Sequence, residues 1–303
     1  MRRLLPIFLT GTFLLSTAVA QQDFTKVEIR AKPLAGNLQV LFGAGGNMAL
    51  LTGADGAVLV DDQFAPLAPK IRAAIALLTD QPVRFVINTH WHFDHTGGNE
   101  AFGASGSVIV AHQNTRQRMS TRQVVDFFKV TTPPSPAAAL PIVTFAESVS
   151  LHLNGEDIDA VHVANAHSDS DVVLFFRQAN VVHAGDTFVN GPYPFIDMGS
   201  GGSIDGLIAA VKVMLARCDE KSQIIPGHGP MANKIDLQAY HDMLLTVRDR
   251  VKALLARGRT QEQVLAARPT AEFDARYGAG AMRPDIWLQR VYADLLAKQA
   301  RRK

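Results

Sequence analysis

The hexapeptide His90-Trp91-His92-Phe93-Asp94-His95 contains three imidazoles and one carboxylate. It directly follows residues 83–88, an apolar and β-branched run that predicts a buried strand. Where the backbone leaving that strand is still extended, His90 and His92 point to the same side and can bind one ion. Asp94 and His95 then turn toward a second ion. Because imidazole and carboxylate ligands suit Zn²⁺ and similar metals, the stretch predicts a hydrolytic centre with two metal ions.

Three later segments carry further metal-binding side chains, each beside an apolar run that predicts a strand. They are Asn165-Ala166-His167-Ser168-Asp169, the run 181–187 ending in Gly185-Asp186-Thr187, and the run 224–230 containing Gly227-His228-Gly229. The order T-H-x-H-x-D-H-x-G-G, lone His, G-D and G-H resembles the metallo-β-lactamase superfamily. Here it is Thr89–Gly98, His167, Gly185-Asp186 and Gly227-His228. The resemblance covers roughly residues 38–230 and leaves the C-terminal part outside.

The resemblance implies a ligand set for two zinc ions per chain. His90, His92 and His167 would hold the first ion, Asp94, His95 and His228 the second, and Asp186 would bridge both. Since metal binding lowers the pKa of water to about 7, a metal-bound hydroxide would attack a carbonyl carbon at neutral pH. Asp94 is in addition the candidate catalytic residue that orients the nucleophile or carries its proton, and a role as a simple ligand is compatible with this.

Other acidic and imidazole side chains have less specific interpretations. Asp61 ends the apolar run 57–60 and resembles the family's aspartate that orients metal-binding histidines. Asp62 is the alternative for that role, and both residues could instead cap a helix over 65–79. We expect structural roles for the remaining histidines and a small buried hydrophobe at the single cysteine: His112, His152, His162, His183, His241 and Cys218.

The N-terminus has the pattern of a secretory signal peptide. Arg2 and Arg3 precede an apolar stretch over 4–15, and Ala18-Val19-Ala20 precedes Gln21. We expect cleavage after Ala20 and a periplasmic or secreted bacterial protein, with a retained membrane anchor as the alternative. Removing residues 1–20 takes two arginines from the 30 basic side chains and leaves all 28 acidic ones, so the remaining formal charge is zero. This balance argues against a nucleic-acid partner and favours a small-molecule substrate.

The apolar periodicity predicts an α/β protein with the four-layer αβ/βα sandwich that the resemblance implies. Strands are predicted near 25–31, 38–42, 47–52, 57–61, 83–88, 107–111, 142–145, 148–153, 157–163, 172–176, 180–184 and 222–226. Helices are predicted near 66–79, 113–126, 203–217, 234–257, 260–267 and 284–299. We therefore expect a metallo-β-lactamase-fold domain over 21–233 and a C-terminal helical extension over 234–303, packed on the same domain.

Two loops and one apolar run are candidates to shape the substrate cleft. The Gly-rich loop 43–47 resembles a mobile loop that folds over substrates, and the Pro-rich segment 130–141 is either a cleft wall or an exposed connector. Trp91 and Phe93 either line the pocket or pack beneath it. Further candidates to line the cleft follow Asp186 in the chain: Asn190, Tyr193 and Phe195.

Several reactions remain open because one fold hosts many chemistries. The first hypothesis is hydrolysis of a β-lactam-type cyclic amide or a related ester. Against a β-lactam, no lysine or arginine between Asp186 and His228 is obviously placed to bind its carboxylate, since Lys212 and Arg217 fall on a helix. Ser200 or Ser203 is the alternative partner for that carboxylate. The alternatives are a lactonase or a thioesterase of the glyoxalase-II type, an iron-dependent redox enzyme, and a zinc-binding protein without turnover. The oligomeric state is not predicted.

Overall fold

The computed structural model describes residues 23–300, and the predicted signal peptide lies outside them. The N-terminal half forms a seven-stranded sheet in the order β1-β2-β3-β4-β5-β6-β9. Its strands are β1 (Arg30–Ala35), β2 (Leu38–Phe42), β3 (Met48–Leu51), β4 (Ala57–Val60), β5 (Val83–Ile87), β6 (Val108–His112) and β9 (Val143–Phe145). The first four strands pair antiparallel through short turns, whereas β4, β5, β6 and β9 pair parallel.

The second half forms a six-stranded sheet in the order β10-β11-β12-β13-β14-β15. Its strands are β10 (Ser148–Leu153), β11 (Glu156–His162), β12 (Val172–Phe176), β13 (Val181–His183), β14 (Gln223–Ile225) and β15 (Ala232–Asn233). The pair β13 and β14 is parallel, and the other neighbours are antiparallel. Each half therefore contains parallel strands whose carboxyl ends meet at one edge of its sheet.

The helices occupy the two outer layers and the connections. They are α1 (Ala68–Ala76), α2 (Phe93–Thr96), α3 (Asn99–Gly103), α4 (Gln113–Met119), α5 (Ile204–Leu215), α6 (Lys234–Ala256), α7 (Gln261–Ala267), α8 (Asp274–Tyr277) and α9 (Pro284–Ala300). Within residues 23–300, none of them combines the length and apolar composition needed to span a bilayer.

Alternation along the strands separates the apolar layers of the sandwich. In β4, Val58 and Val60 face the second sheet, where they pack in one cluster with Leu174 of β12. Leu59 of β4 points the other way and packs with Ile71 of α1. Because both faces of these strands are covered, they are apolar throughout. The result is the helix–sheet–sheet–helix arrangement that the sequence predicts.

The C-terminal helices share the core of the second half. One cluster of buried side chains joins the outer face of the second sheet to α5, α6 and α9, and it includes Phe175, Val211, Val247, Trp287 and Val291. The region 234–300 thus contributes directly to the apolar layer that covers β12, β13 and β14.

Two predicted elements differ from the observed ones. The helix predicted over 113–126 ends at Met119, because the β-branched Val124 and Val125 continue as strand β7 (Gln123–Val125), which pairs with β8 (Val130–Thr132). The first predicted strand, 25–31, begins only at Arg30, since Asp23 caps a 3₁₀ turn over Phe24–Lys26. The β7–β8 hairpin was not predicted, and it places the half-buried Phe127 and the exposed Phe128 beside the site described below.

Candidate metal centre

The predicted ligands come from strand ends of both sheets. His90 and His92 follow β5, Asp94 and His95 lie in the short helix α2, and Asp186 follows β13. His167 lies in the loop between β11 and β12, and His228 follows β14. The parallel pairs β4–β5 and β13–β14 bring these ends to the same edge of the sandwich. The structure places the donor atoms in three overlapping groups: His90-His92-His167, His90-His95-Asp186 and Asp94-His95-His228.

In the first group, three ring nitrogens converge on one point. His92 Nδ1 lies 3.1 Å from His90 Nε2 and 2.9 Å from His167 Nε2. All three residues are almost completely buried, with exposed fractions of 5% or less. These nitrogens lie within hydrogen-bonding distance of one another. The chemistry of the cluster therefore depends on which of them carry protons.

The outer nitrogens of these three imidazoles each have a protein acceptor. The acceptors are Thr89 Oγ1 for His90 Nδ1 at 3.0 Å, Asp197 Oδ2 for His92 Nε2 at 3.0 Å, and the Phe195 carbonyl for His167 Nδ1 at 2.8 Å. Thr89 Oγ1 gives its own proton to the Asp61 carboxylate, so it accepts from His90. A neutral imidazole that donates from one nitrogen has a lone pair on the other. Three lone pairs therefore face each other, which is repulsive unless a cation binds between them.

Asp186 joins the first group to the second. Its Oδ2 lies 3.6 Å from His167 Nε2, and its Oδ1 lies 3.2 Å from His95 Nε2 and 3.4 Å from His228 Nε2. The buried Oδ1 receives no hydrogen bond. One carboxylate oxygen is thus directed to each group, which is the arrangement required of a bridging ligand.

The second group contains the more exposed side chains. Asp94 Oδ2 lies 3.2 Å from His228 Nε2 and 3.7 Å from His95 Nε2. The His228 side chain is 34% exposed and that of Asp94 22%, whereas His95 is fully buried. Substrate would therefore enter from the side of His228 and Asp94.

Burial and charge act differently on the two groups. Burial lowers the pKa values of His90 and His167, to about 4 for His167, so both imidazoles stay neutral and able to bind metal. At His228, burial is outweighed by the carboxylates of Asp186 and Asp94, which raise its pKa to about 10. These carboxylates give the second group a negative electrostatic potential. The group therefore binds positive charge, either as protons or as a metal ion. Both groups fit divalent metal ions of the zinc type.

Asp61 forms hydrogen bonds that orient the second group. Its Oδ2 accepts from His95 Nδ1 at 2.7 Å, and its Oδ1 accepts from the backbone of Thr89 at 2.8 Å. The Asp62 carboxylate instead accepts from the Gly98 backbone at 2.8 Å, and the Asp62 backbone donates to the His95 carbonyl at 2.9 Å rather than to its ring. Helix α1 begins without a side-chain cap, so neither aspartate acts as the N-cap that was the alternative interpretation.

Asp197 contacts a predicted ligand and was missed by the sequence prediction, whereas Phe195, predicted only to line the cleft, also accepts from His167 through its carbonyl. The segment carries no strand or helix until Met198–Ser200, and its position against His92 and His167 depends on long-range packing. A single acid in the apolar run 192–198 was the available signal, because a buried carboxylate requires hydrogen-bond partners. Asp197 obtains them from His92 and from the Ser200 backbone.

The Gly-rich loop 43–47, predicted to resemble a mobile loop over the substrate, is hydrogen-bonded to the site in this structure. The Gly46 backbone donates to the Asp94 carbonyl at 3.0 Å, and Asn47 Nδ2 donates to the Pro226 carbonyl at 2.8 Å. A Cβ atom on Gly46 would lie 2.1 Å from the His95 ring, and one on Gly227 would lie 2.0 Å from Asp186 Oδ1. Both glycines are required by close approach to ligands.

Several predicted cleft residues have other positions. Tyr193 is buried and stacks on Trp287 with ring centroids 4.4 Å apart, so it does not line the cleft. Trp91 packs beneath the ligands in a cluster with Met119 and Ala139, which also anchors the Pro-rich segment to the fold. Ser203 caps α5 by accepting from Gly206, and its hydroxyl is not free to bind a substrate carboxylate.

The remaining histidines and the cysteine make contacts away from the ligand groups. His112 stacks on His162, His183 Nε2 lies 3.0 Å from the Asn47 carbonyl, and His152 and His241 pair with neighbouring aspartates. Cys218 is buried and unpaired. Among residues 23–300, the metal-binding groups contain none of these six side chains.

Two curated proteins are similar in sequence. The α subunit of 2,4-dinitroanisole O-demethylase from Nocardioides sp. is 24% identical over 146 residues, which cover 47% of this chain and 41% of that protein. Hydroxyacylglutathione hydrolase from Polaromonas sp. is 26% identical over 172 residues, which cover 56% of this chain and 57% of that protein. The chain spans about half the length of these relatives.

Solved structures share the fold at low sequence identity. A metallo-β-lactamase from Pontibacter korlensis matches with a TM-score of 0.58 and 18% identity, over 72% of this chain and 99% of that chain. The sec-alkylsulfatase Pisa1 from Pseudomonas sp. matches with a TM-score of 0.64 and 18% identity, over 87% of this chain and 50% of that chain. The family model of the metallo-beta-lactamase superfamily matches residues 42–228, which include every predicted ligand. The chain belongs to the metallo-β-lactamase superfamily.

Proposed function

We propose that this protein is a di-zinc hydrolase of a small carbonyl substrate. The observation that carries the proposal is the Asp186 carboxylate, which directs one oxygen to each of two ligand groups. A centre of this kind serves two-metal chemistry, because one bridging ligand keeps the ions close enough to act on the same bond. Membership of the superfamily and the convergent imidazole lone pairs support the same conclusion.

Zinc ions bound there would supply an activated water at neutral pH and polarise the substrate carbonyl. The protein residues orient the reactants. His90, His92 and His167 form the buried side of the site, whereas Asp94 and His228 lie at the accessible side. The Asp94 carboxylate is close enough to the second group to accept a proton from the attacking water and pass it to the leaving group.

Within carbonyl substrates, we favour an uncharged ester, lactone or thioester over a β-lactam. A β-lactam has a carboxylate that needs a cationic or hydrogen-bonding partner. Among residues 23–300, the carboxylates of Asp94 and Asp186 form ion pairs only with histidines, so no lysine or arginine joins the site in this way. The similarity to a hydroxyacylglutathione hydrolase also favours an ester-like bond.

The aromatic residues beside the first group favour an apolar portion on this substrate. The Phe195 ring centroid lies 5.7 Å from that of His167 and 5.0 Å from that of Phe128. Phe128, at the tip of the β7–β8 hairpin, is 47% exposed. An exposed aromatic ring next to a polar centre provides contact area for an apolar acyl or alcohol group.

We further propose that the protein is exported and acts without nucleic acid or a membrane anchor. The proposal depends on the signal-like residues 1–20 and on the balanced charge of the remaining chain. Expression with the natural N-terminus, followed by cell fractionation and N-terminal sequencing, tests it. A mature N-terminus at Gln21 in the periplasm or medium is expected, and an uncleaved cytoplasmic chain would contradict export.

The first functional experiment measures metal content and turnover on the same sample of purified protein. The substrate panel contains a chromogenic cephalosporin, aryl esters, lactones and acyl thioesters, each assayed before and after chelation and zinc addition. We expect about two zinc ions per chain and ester, lactone or thioester turnover that is lost on chelation. Cephalosporin turnover alone would restore the β-lactam hypothesis. Iron in place of zinc, or no chelator-sensitive turnover, would overturn the hydrolase.

A further inference from the structure

Helix α9 lies along the segment that follows the bridging aspartate. Four of its side chains, at positions 287, 290, 294 and 298, share one helix face because they are spaced by three or four residues. Trp287 stacks on Tyr193, Arg290 donates to the Ile196 carbonyl, Asp294 accepts from the Ile204 backbone, and Lys298 pairs with Asp205. The contacts of α9 are therefore distributed over the whole segment 193–205.

The same segment contacts the first ligand group from its other side. The Phe195 carbonyl accepts from His167 Nδ1 at 2.8 Å, and Asp197 Oδ2 accepts from His92 Nε2 at 3.0 Å. The Asp197 backbone also donates to the His167 carbonyl at 2.9 Å. Ile196, the residue between these two contacts, is the one that Arg290 binds. We call residues 195–197 the strap.

We propose that Arg290 of α9 is a positioning residue for the first metal ion, acting through the strap. Arg290 Nη2 and Nε both donate to the Ile196 carbonyl, at 2.7 and 3.2 Å. Its guanidinium lies over the Phe195 ring, 4.7 Å from the centroid, and over Phe127 at 5.2 Å. Because two N–H groups of Arg290 bind one carbonyl and its guanidinium plane stacks on Phe195, Arg290 restricts both the position and the orientation of the strap.

Arg290 is half-buried and makes its hydrogen bonds to a backbone carbonyl, and burial lowers its pKa. The Asp197 carboxylate is the charge that favours its protonated form. The Arg290 guanidinium therefore lies near the Asp197 carboxylate, which in turn accepts a hydrogen bond from the ligand His92.

The contact predicts a role for the C-terminal helices that the sequence does not reveal. The strap contains no helix or strand of its own, so its conformation depends on what packs against it. Partners that orient metal-binding histidines typically change metal affinity by about 10–100-fold when removed. Removing a group that orients such a partner should act in the same direction with a smaller effect.

The test measures the zinc affinity of each ligand group in the full-length protein by competition with a chromophoric chelator. His92→Ala and His228→Ala serve as references that identify the first and the second ion. Arg290→Met is the test variant. Arg283→Met is the matched control, because Arg283 is 63% exposed and pairs only with Asp285 near the start of the same helix. Each variant is also melted without metal.

We expect Arg290→Met to weaken the first ion by about threefold or more, and Asp197→Asn by about tenfold or more. The affinity of the second ion and the metal-free unfolding temperature should remain near those of Arg283→Met. Arg290→Lys should give an intermediate loss, since lysine retains a donor but not the planar stack. If Arg290→Met does not fold, Arg290→Lys and Arg290→Gln provide the same comparison. An unchanged first ion, or equal losses at both ions, would overturn the proposal independently of substrate turnover.

Discussion

Asp61 Oδ2 accepts a hydrogen bond from His95 Nδ1 at 2.7 Å, and both side chains are completely buried. Asp61 also has a positive φ of 58°, which few side chains other than Asn and Asp tolerate. Strand β4 is thus followed by Asp61 in the left-handed backbone conformation, and the Asp61 carboxylate points toward the ligand-bearing residues 90–95. This geometry fixes the His95 tautomer and directs Nε2 to the second ligand group.

Asp61→Asn should weaken the second metal ion by about 10–100-fold. Asparagine tolerates the left-handed backbone, but its amide group must face the donor of either Thr89 or His95. The control is Asp62→Asn. Asp62 Oδ1 accepts one backbone hydrogen bond, from Gly98, which the amide oxygen of asparagine can also accept. Zinc titration of both variants checks the prediction, and equal affinities would contradict it.

Gly46→Ala should displace the His95 ring and remove the second ion. The added Cβ would lie 2.1 Å from that ring, a distance at which one of the two groups must move. Gly199→Ala is the matched control, because its nearest atom would be Asp197 Oδ1 at 3.4 Å. We expect loss of about one zinc ion by metal analysis in the first variant only. Full metal content in Gly46→Ala would show that the loop 43–47 yields more readily than its hydrogen bonds indicate.

Asp94→Ala should reduce turnover by at least about 100-fold while the protein remains folded. The side chain is partly exposed and lies in the short helix α2, so its removal leaves no buried cavity. Asp80→Ala is the control, since Asp80 is an exposed acid far from the ligand loop along the chain. Steady-state kinetics with circular dichroism on both variants separate activity from folding. Full turnover at normal metal loading would exclude the proposed role of Asp94.

The approximate positions of the predicted ligand side chains could be derived from the sequence because each one directly follows a strand or lies in a short local motif. His90 and His92 follow β5, Asp186 follows β13, and His228 follows β14, so the predicted strands already give their approximate positions. The sandwich was predictable for the same reason, since Val58 and Leu59 of β4 face opposite layers in strict alternation. Local sequence was sufficient wherever a regular element carries the side chain.

The outer contacts were not predictable because they join segments far apart in sequence. Asp197 lies 105 residues from His92, and Arg290 lies 94 residues from Ile196. Contacts across such sequence separations leave no local sequence pattern. The strap also has no regular secondary structure from which the directions of its side chains could be predicted. The β7–β8 hairpin was missed for another reason, because Gln113–Met119 is a true helix whose end carries no glycine or proline.

The contribution of His112 to the stability of the metal-free protein should increase as the pH rises from about 4 to 6.5. The His112 ring stacks on His162, with centroids 3.7 Å apart, and burial lowers the pKa of His112 from its ordinary value of 6.5 to about 4. Its Nδ1 accepts from the Asn114 backbone at the start of α4, so a proton there breaks the cap. In this window the unfolded chain binds the proton and the folded chain does not, which lowers stability at acidic pH.

His112→Asn tests this pH dependence. Asparagine can still cap α4 but has no ring to protonate or to stack on His162. We expect a shallower change in the free energy of unfolding between pH 4 and 6.5, measured by urea denaturation with a chelator present so that metal release does not contribute. Above pH 6.5 the two profiles should run parallel, because His228, whose pKa is raised to about 10, contributes equally to both proteins. Parallel profiles between pH 4 and 6.5 as well would exclude His112 as a source of the effect.

Removal of metal should lower the unfolding temperature, because three imidazole lone pairs then face each other without a cation. A ligand at 100 times its dissociation constant stabilises the folded state by about 2.7 kcal/mol, which corresponds to roughly 5–10 °C for a chain of this size. Chelation should therefore produce a downward shift of this order, and zinc should restore it. His90→Ala should abolish most of the zinc-dependent shift, whereas His152→Ala, at a side chain 70% exposed, should retain it. If the shift is the same in both variants, zinc stabilises the protein from a site outside the first ligand group, and the convergent lone pairs are not its binding site.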